Sequence, residues 1–247
     1  MTAVEADKRE NPLSPSTVAI IHARGGSKRL PRKNMQLLAG RPLLCYPIEL
    51  CRRCGFVDRI IVSTDDDEIM AAARDHGAET PFRRPADISE DVPSERVTEH
   101  ALRFLREERG LPDYAITLTP ATPFTRDQDL VAAFGLLRAH PDWDGVTAVR
   151  ATTEHPEWIL RKDKTTGCME TLFGNPLNGK YNVSQNLGQF YYPTGAFWIN
   201  RVPNFLAHPA LYGNRWGAIE IESETMVDID TSEQLALAER MAAELWK

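Results

Sequence analysis

The sequence lacks the features of membrane-spanning and disulfide-stabilised proteins. None of its 247 residues lies in an apolar run of about 20 residues, the length that a membrane-spanning helix needs. Its four cysteines, Cys45, Cys51, Cys54 and Cys168, are too few for a disulfide framework in a chain of this size. The segment 1–15 is polar and carries acidic residues, unlike a secretory signal. We therefore expect a cytoplasmic protein with no membrane partner.

Positive charge is outnumbered by negative charge overall. Asp and Glu number 35 against 29 Lys and Arg, and the formal net charge is −6. This balance argues against nucleic acid as a partner. One short segment is an exception, because five cations fall within ten residues: Arg24, Lys28, Arg29, Arg32 and Lys33. Against an acidic background, this local cluster indicates an anion-binding site.

The cation cluster lies in a loop that follows an apolar segment. Val18–Ile21 is rich in β-branched residues, which predicts a strand buried on both faces of a parallel sheet. Gly25 and Gly26 lack the Cβ atoms that would keep the main chain away from a ligand. Successive backbone N–H groups in such a turn bind anions, and the cations add full charge. The loop therefore predicts a polyphosphate site at the end of a first strand, with a flexible basic surface loop as the alternative.

Two common phosphate-binding motifs are missing. A Walker loop has the pattern G-x-x-x-x-G-K-[ST], whereas Lys28 here follows a serine and precedes Arg29. A dinucleotide-binding fingerprint needs G-x-G-x-x-G opening into a helix, and Pro31 prevents a helix through this stretch. The absence of that fingerprint argues against a Rossmann-type oxidoreductase.

Alternating apolar and helical segments predict an α/β fold, Rossmann-like, with a mainly parallel sheet flanked by helices. Strands are predicted at 17–22, 59–64, 114–119, 145–150, 195–200, 218–221 and 226–228, and helices at 42–53, 66–76, 95–108, 127–139 and 231–246. We expect a flexible tail at 1–15 and one domain at 16–247. Within that domain, about 152–190 breaks the alternation and is expected to form an insert.

Two carboxylates near the C-terminal end form a second candidate site. Asp228 and Asp230 are two residues apart, so in extended chain both point to the same side. Such a pair suits Mg²⁺, which prefers oxygen ligands and bridges phosphates. Alternatively, Asp230 caps the last helix, with Glu233 at the third helical position.

Five motifs, in this order along the chain, resemble the cytidylyltransferases that activate sialic acids and related sugars. They are Ala23–Asn34 (A-R-G-G-S-K-R-L-P-x-K-N), Val62–Asp65, Arg84–Asp87, Gly195–Ile199 and Val227–Thr231. That family includes the CMP-sialic, CMP-pseudaminic and CMP-legionaminic acid synthetases. The resemblance implies a nucleotidyltransferase-type fold in a homodimer, with the insert at 152–190 as the dimerisation element.

The resemblance also implies a reaction, in which CTP and an acidic sugar give a CMP-sugar and pyrophosphate with the help of Mg²⁺. The resemblance implies that Arg24, Lys28 and Lys33 are catalytic and that Asp228 and Asp230 bind the metal. The nucleotide-binding residues that it implies are Ala23, Arg24, Gly25, Gly26, Ser27, Asn34, Arg84 and Ser94. Among these, Arg84 and Ser94 would read cytosine. Local sequence leaves alternatives open, because Arg84 could be a surface arginine and Ser94 a plain helix cap.

Two departures from the family pattern concern the acceptor-binding positions. Thr119 stands where sialic-acid members usually have glutamine, and Tyr192 where many have arginine. These changes call N-acetylneuraminic acid into question and leave another nonulosonic acid, or a small acid such as a phosphonate, as the acceptor. We expect His22, which stands where the family usually has proline, and His100 to be structural.

Rival functions remain within and outside this chemistry. The same CMP transfer to ketodeoxyoctonate is one alternative, although the Gly25–Gly26 pair favours the sialic-type branch. A nucleotide-binding protein without turnover is another. The presence of Lys28, Lys33 and the Asp228–Asp230 pair argues against it, since simple binding needs no metal pair.

Overall fold

The computed structural model describes residues 16–222 and 226–246. The expected tail at 1–15 lies outside this part. The strands are β1 Thr17–His22, β2 Leu37–Leu38, β3 Arg41–Pro42, β4 Arg59–Ser63, β5 Tyr114–Leu118, β6 Gly145–Thr152, β7 Leu160–Lys162, β8 Met169–Thr171, β9 Phe190–Arg201 and β10 Trp216–Glu220. The α-helices are α1 Cys45–Arg53, α2 Asp67–Asp75, α3 Ser94–Glu108, α4 Asp127–Ala139, α5 Val202–Ala207 and α6 Ser232–Leu245. The 3₁₀ helices are Lys33–Met35, Ala86–Ile88, Pro156–Trp158, Gly179–Asn182 and Ser184–Asn186.

The predicted α/β fold is confirmed. Six strands form the central sheet in the order β10-β6-β9-β5-β1-β4. Strand β1 runs parallel to both β4 and β5, and β10 runs parallel to β6, whereas β9 is antiparallel to its neighbours β5 and β6. The first four predicted strands and helices agree with the observed ones to within three residues. The strand predicted at 226–228 is wrong, because that segment is irregular.

Side-chain alternation along β1 explains why this strand is apolar throughout. Successive side chains of a strand point to opposite faces of the sheet. Ala19 and Ile21 accordingly pack into a core with α1, α2 and α4, whereas Val18 and Ile20 pack into a second core with α3 and α5. Helices cover both faces, so the sheet is a middle layer. Ligand access is therefore limited to the ends of the strands.

A third, smaller core fixes the last helix beside the cationic loop. Apolar residues of α6 pack with Leu30 from the loop, with Leu38 and Leu43, and with Val227 and Ile229 from the preceding segment. Val227 and Ile229 are buried, so the alternating residues Asp228 and Asp230 point the other way. This packing carries the two carboxylates to the loop.

The insert expected at 152–190 forms a separate structure. Strands β7 and β8 pair with each other in an antiparallel hairpin outside the central sheet. Its surface is unusually apolar: the exposed large hydrophobic residues of 158–183 are Trp158, Ile159, Leu160, Met169, Leu172, Phe173, Leu177 and Val183. Exposed apolar patches of this kind mark interaction surfaces. Across residues 16–222 and 226–246, no helix is both long enough and apolar enough to span a bilayer.

The contact between β10 and Trp143, in the connection from α4 to β6, supplies a test of the packing. A Cβ added at Gly217 would lie 1.8 Å from the Trp143 ring, so we expect Gly217→Ala to destabilise the fold by about 1–3 kcal/mol through overpacking. Gly135, inside α4, has open space around its Cβ position, and Gly135→Ala should stabilise by about 0.5–1 kcal/mol. Urea unfolding measures both. Equal effects of the two substitutions would contradict this packing.

Candidate active site

A cavity of about 610 Å³ opens at the carboxyl ends of β1 and β5. In open α/β sheets this edge, where neighbouring strands continue in different directions, is the usual ligand site. The predicted site residues that line the cavity are Arg24, Ser27, Lys28, Lys33, Asn34, Arg84, Ser94, Thr119, Asp228 and Asp230. Those outside its lining are Ala23, Gly25, Gly26 and Tyr192. The fold thus gathers most of the candidate residues around one space.

Two of the loop cations share one carboxylate. Arg24 Nη1 lies 2.6 Å from Asp91 Oδ1, and Lys28 Nζ lies 2.7 Å from Asp91 Oδ2. These contacts hold the pKa of Asp91 down at about 2. A carboxylate that bridges two cations offers them two oxygens, as a phosphate group does. Asp91 also lines the cavity, and no sequence motif pointed to it.

Two further cations pair with Asp230. Lys33 Nζ lies 2.9 Å from Asp230 Oδ1, and Arg29 Nη2 lies 2.6 Å from Asp230 Oδ2. Arg29 also lines the cavity, although the sequence analysis gave it no role. The four cations that line the cavity are therefore each paired with one of the protein's own carboxylates.

The remaining cation, Arg32, serves the loop itself. Its side chain is not among those lining the cavity and pairs with Asp66 and Glu68 at the start of α2. Its backbone has a left-handed conformation, with φ of 54°, which is strained for a residue with a side chain. The two ion pairs hold this conformation and join the loop to α2.

Gly25 has a packing role that the sequence did not predict. A Cβ at Gly25 would lie 2.8 Å from Asp66 Oδ2, so Gly25 permits the close approach of the loop to α2, whereas the Cβ position of Gly26 has open space around it. The Gly25 N–H donates to Asp65 at 2.9 Å, and the Ser27 N–H donates to the Gly25 carbonyl at 3.1 Å. These two N–H groups of the loop are therefore paired within the protein.

Asn34 also supports the loop. It is buried, and its side-chain amide donates to the Arg24 carbonyl at 2.8 Å. This bond ties the beginning of the loop to its end, and so sets the direction in which Arg24 leaves the main chain.

Arg84 is buried, with 5% of its surface exposed, so the surface-arginine alternative is wrong. Its Nε donates to Ser63 Oγ at 3.1 Å, and its guanidinium also donates to the Ser63 carbonyl. Burial, with a smaller effect of nearby Arg24, lowers the pKa of Arg84 to about 10. Among the residues that the structure describes, no carboxylate forms an ion pair with it. A buried guanidinium at a cavity wall can donate to an uncharged acceptor on a ligand.

Ser94 is the first residue of α3, and Pro93 holds the capping position. The helix-cap alternative for Ser94 is therefore wrong, and its hydroxyl is left to face the cavity. Thr119, directly after β5, lines the same cavity.

Tyr192 lies farther along the edge of the sheet. It is 40% exposed on β9, with the Arg150 guanidinium 5.3 Å from its ring centre. The chain by itself does not bring this residue into the cavity.

The alternative role of Asp230 as a helix cap is wrong. Thr231 caps α6, in a reciprocal capping box with Gln234. The Asp230 carboxylate, paired with Lys33 and Arg29, lines the cavity beside Asp228. Burial, with a smaller effect of the nearby Asp230 charge, raises the pKa of Asp228.

Asp228 and Asp230 are suitable ligands for Mg²⁺, but they are too few to enclose the ion. Mg²⁺ is commonly held by one or two carboxylates together with substrate phosphates, which Asp228 and Asp230 could provide beside the cationic loop. In residues 16–222 and 226–246, no group of three or more His, Cys, Asp or Glu residues could form a metal site. The protein can therefore share a cation with a bound phosphate rather than enclose one.

The histidines differ in position. His22, at the end of β1, lines the cavity, with its Nε2 3.1 Å from Thr98 Oγ1. Desolvation, aided by Arg84, lowers the pKa of His22 to about 3, so the ring is neutral. His100 is not part of the lining and packs edge-on against Phe82 at 4.8 Å between ring centres.

Cations, paired carboxylates and a buried guanidinium around one cavity define a nucleotide-dependent transferase site on an α/β fold. The sequence pattern of the family "Cytidylyltransferase" matches residues 18–245, and the chain belongs to this family. It is an enzyme of the nucleotidyltransferase type, which transfers CMP from CTP.

Individual relatives extend this assignment over most of the chain. The chain is 28% identical over 222 residues to the pseudaminic acid cytidylyltransferase of Campylobacter jejuni, covering 90% of this chain and 94% of that protein. It is 26% identical over 226 residues to the CMP-N,N'-diacetyllegionaminic acid synthase of Legionella pneumophila, covering 91% and 95%.

A solved structure of CMP:2-keto-3-deoxy-manno-octonic acid synthetase in complex with CTP has a similar fold. The TM-score is 0.68 at 18% identity, and the match covers 93% of this chain and 100% of that one. At this level of identity the likeness concerns the fold alone.

The Asp91 bridge gives a test of the cavity's electrostatics. Asp91→Asn removes the charge that competes with phosphate for Arg24 and Lys28, so pyrophosphate should bind about 3- to 10-fold more tightly. The matched control is Glu90→Gln, since Glu90 lies 3.8 Å from Lys28 and is largely exposed. Calorimetric titration with inorganic pyrophosphate measures both. Weaker binding by Asp91→Asn would mean that Asp91 orients the cations instead of competing for them.

Proposed function

We propose that the enzyme joins CMP to a nonulosonic, sialic-type sugar acid and releases pyrophosphate. The observation that carries the proposal is the meeting of the cationic loop, Arg84 and the Asp228–Asp230 pair around one cavity. The acceptor class is supported by relatives that match the full domain and are named for pseudaminic and legionaminic acids.

In the proposed reaction, the anomeric hydroxyl of the sugar attacks the α-phosphorus of CTP. An oxygen–phosphorus bond forms there, the bond to the β-phosphate oxygen breaks, and the hydroxyl proton is lost to solvent. Arg24 and Lys28 move from Asp91 to the triphosphate and neutralise charge that grows on the departing pyrophosphate. Lys33 does the same nearer the α-phosphate. Positioning and charge therefore supply the catalysis.

We assign the remaining groups of the cavity to binding. Arg84 and Ser94 hold the cytosine, and Asn34 keeps the loop in place by its bond to Arg24. Asp228 and Asp230 would hold Mg²⁺, which supplies positive charge to phosphate oxygens when bound. Thr119 and Tyr192 contact the acceptor, and their difference from the sialic-acid pattern favours a nonulosonic acid other than N-acetylneuraminic acid. Because CTP is a cytoplasmic nucleotide, we also propose a cytoplasmic location.

Pyrophosphate release tests the proposed reaction. Each of CTP, UTP, ATP and GTP is incubated with Mg²⁺ and with sialic, legionaminic, pseudaminic or ketodeoxyoctonic acid, or a small phosphonate. We expect release with CTP and a nonulosonic acid, and none after the metal is chelated. Release only with ketodeoxyoctonic acid or a phosphonate would overturn the proposed acceptor class.

Lys28→Ala tests the role of the loop cations in the same assay. Losing one preorganised charge at the leaving group should lower turnover about 10²- to 10³-fold. Arg106→Ala, which removes an exposed cation of α3 outside both the cavity and the insert, is the control and should leave turnover unchanged. Near-normal turnover of Lys28→Ala would contradict the assignment.

We further propose that the insert at 152–190 joins two copies of the chain. Its exposed apolar side chains support this, since burying them against a second copy removes apolar surface from water. The carboxyl end of β6 and the beginning of β9, with Tyr192, border the insert. An interface there would enclose Tyr192, which lies outside the cavity of a single chain.

Light scattering coupled to size-exclusion chromatography tests the dimer. Phe173 is 65% exposed on the insert, and Phe173→Glu should convert the dimer to a monomer because it would bury a charge in the interface. Val131 is 51% exposed on α4, and Val131→Glu should remain dimeric. A monomeric wild-type protein at micromolar concentration would contradict the proposal.

A further inference from the structure

His22 occupies a wall of the cavity between three elements. It is the last residue of β1 and pairs in register with Ser63 of β4, the residue that anchors Arg84. On its other side, Nε2 lies 3.1 Å from Thr98 Oγ1, which is 2.9 Å from Thr117 Oγ1. Thr98 is four residues after Ser94 on α3, so both lie on the same face of that helix. The imidazole ring therefore lies at the same wall as Arg84 and Ser94.

One of the two ring nitrogens is unaccounted for. Nε2 is held by Thr98, whereas Nδ1 has no hydrogen-bond partner among the residues that the structure describes. The ring lines the cavity, so a polar atom is available there for a ligand. A polar atom that meets a ligand's apolar surface without a partner would weaken binding. The cavity wall is thus suited to a heterocycle with a complementary polar edge.

The charge of the ring limits what it can recognise. With a pKa of about 3 the imidazole is neutral at physiological pH, because desolvation and the Arg84 guanidinium disfavour the charged form. A neutral ring offers no charge to phosphate. It carries one N–H and one acceptor nitrogen, and the hydrogen bond at one nitrogen sets the function of the other. If Nε2–H donates to Thr98, Nδ1 is an acceptor.

We propose that His22 selects the nucleobase, with Nδ1 accepting a hydrogen bond from the exocyclic amino group of cytosine. Arg84 and Ser94 donate hydrogen bonds to the carbonyl oxygen and to the acceptor nitrogen of the cytosine ring. Uracil has a carbonyl oxygen in place of the amino group. That oxygen and His22 Nδ1 are both acceptors, so neither would have a hydrogen-bond donor. This inference rests on the proposed location of cytosine at Arg84 and Ser94. It gives His22 a binding role in place of the structural one expected from the sequence.

Binding of CTP and UTP without acceptor tests the inference apart from catalysis. His22→Phe keeps a ring of similar size but has no polar atom, and the preference for CTP over UTP should fall about 10- to 100-fold. His22→Asn, whose amide can present an oxygen near the Nδ1 position, should recover part of the preference. Thr98→Val removes the partner of Nε2 and should reduce the preference less. Thermal unfolding checks that each variant is folded.

The outcomes separate this inference from the proposed function. Tight binding of CTP with an unchanged preference in His22→Phe would overturn the role of His22 and leave the cytidylyl transfer intact. Failure of the wild type to bind CTP would overturn the proposed function itself. The ¹⁵N chemical shifts of the His22 ring give a second readout, since they report which nitrogen carries the proton. A proton on Nδ1 in the CTP complex would overturn the assignment.

Discussion

The pairing of five clustered cations with carboxylates is the constraint on which the rest of the site depends. Arg24 and Lys28 share Asp91, Lys33 and Arg29 share Asp230, and Arg32 pairs with the start of α2. Without these carboxylates the loop charges would repel one another in the ligand-free protein. The same arrangement allows a triphosphate to replace a carboxylate as the partner of a cation, because its oxygens make equivalent ion pairs. In the proposed reaction, the triphosphate therefore replaces Asp91 as the partner of Arg24 and Lys28.

The topology of the sheet makes this arrangement possible. Lys33 and Asp230 are 197 residues apart in the chain, yet their side chains are in contact. Parallel pairing brings the carboxyl ends of β1, β4 and β5 to one edge of the sheet. The cationic loop follows β1, Thr119 follows β5, and Arg84 is hydrogen-bonded to Ser63 at the end of β4. The small core beneath α6 then adds the Asp228–Asp230 segment from the far end of the sequence. The fold therefore determines the site by joining segments with separate sequence signals.

Local patterns were sufficient for the central strands, the cationic loop and the carboxylate pair, since burial of Val18–Ile21 and the charge cluster are visible in the sequence. Contacts between distant segments were not predictable. Asp91 belongs to no recognisable sequence motif. It reaches Arg24 because the connection between Arg84 and α3 folds over the cationic loop. The contact of Gly25 with Asp66 was not predictable either, because Asp66 is 41 residues away in the sequence. The sequence pointed to Asp230 with Glu233 as a cap of the last helix, whereas the contact with Gln234 makes Thr231 the cap.

The fate of the labelled phosphorus of CTP tests the account most directly. The wild-type enzyme is given acceptor and CTP labelled with radioactive phosphorus at either the α or the γ position, and the products are separated. Attack at the α-phosphorus, with the loop cations on the leaving group, predicts the α label in the CMP-sugar and the γ label in pyrophosphate. Transfer of the γ label to the acceptor, or release of the α label as free CMP alone, would contradict cytidylyl transfer by this site.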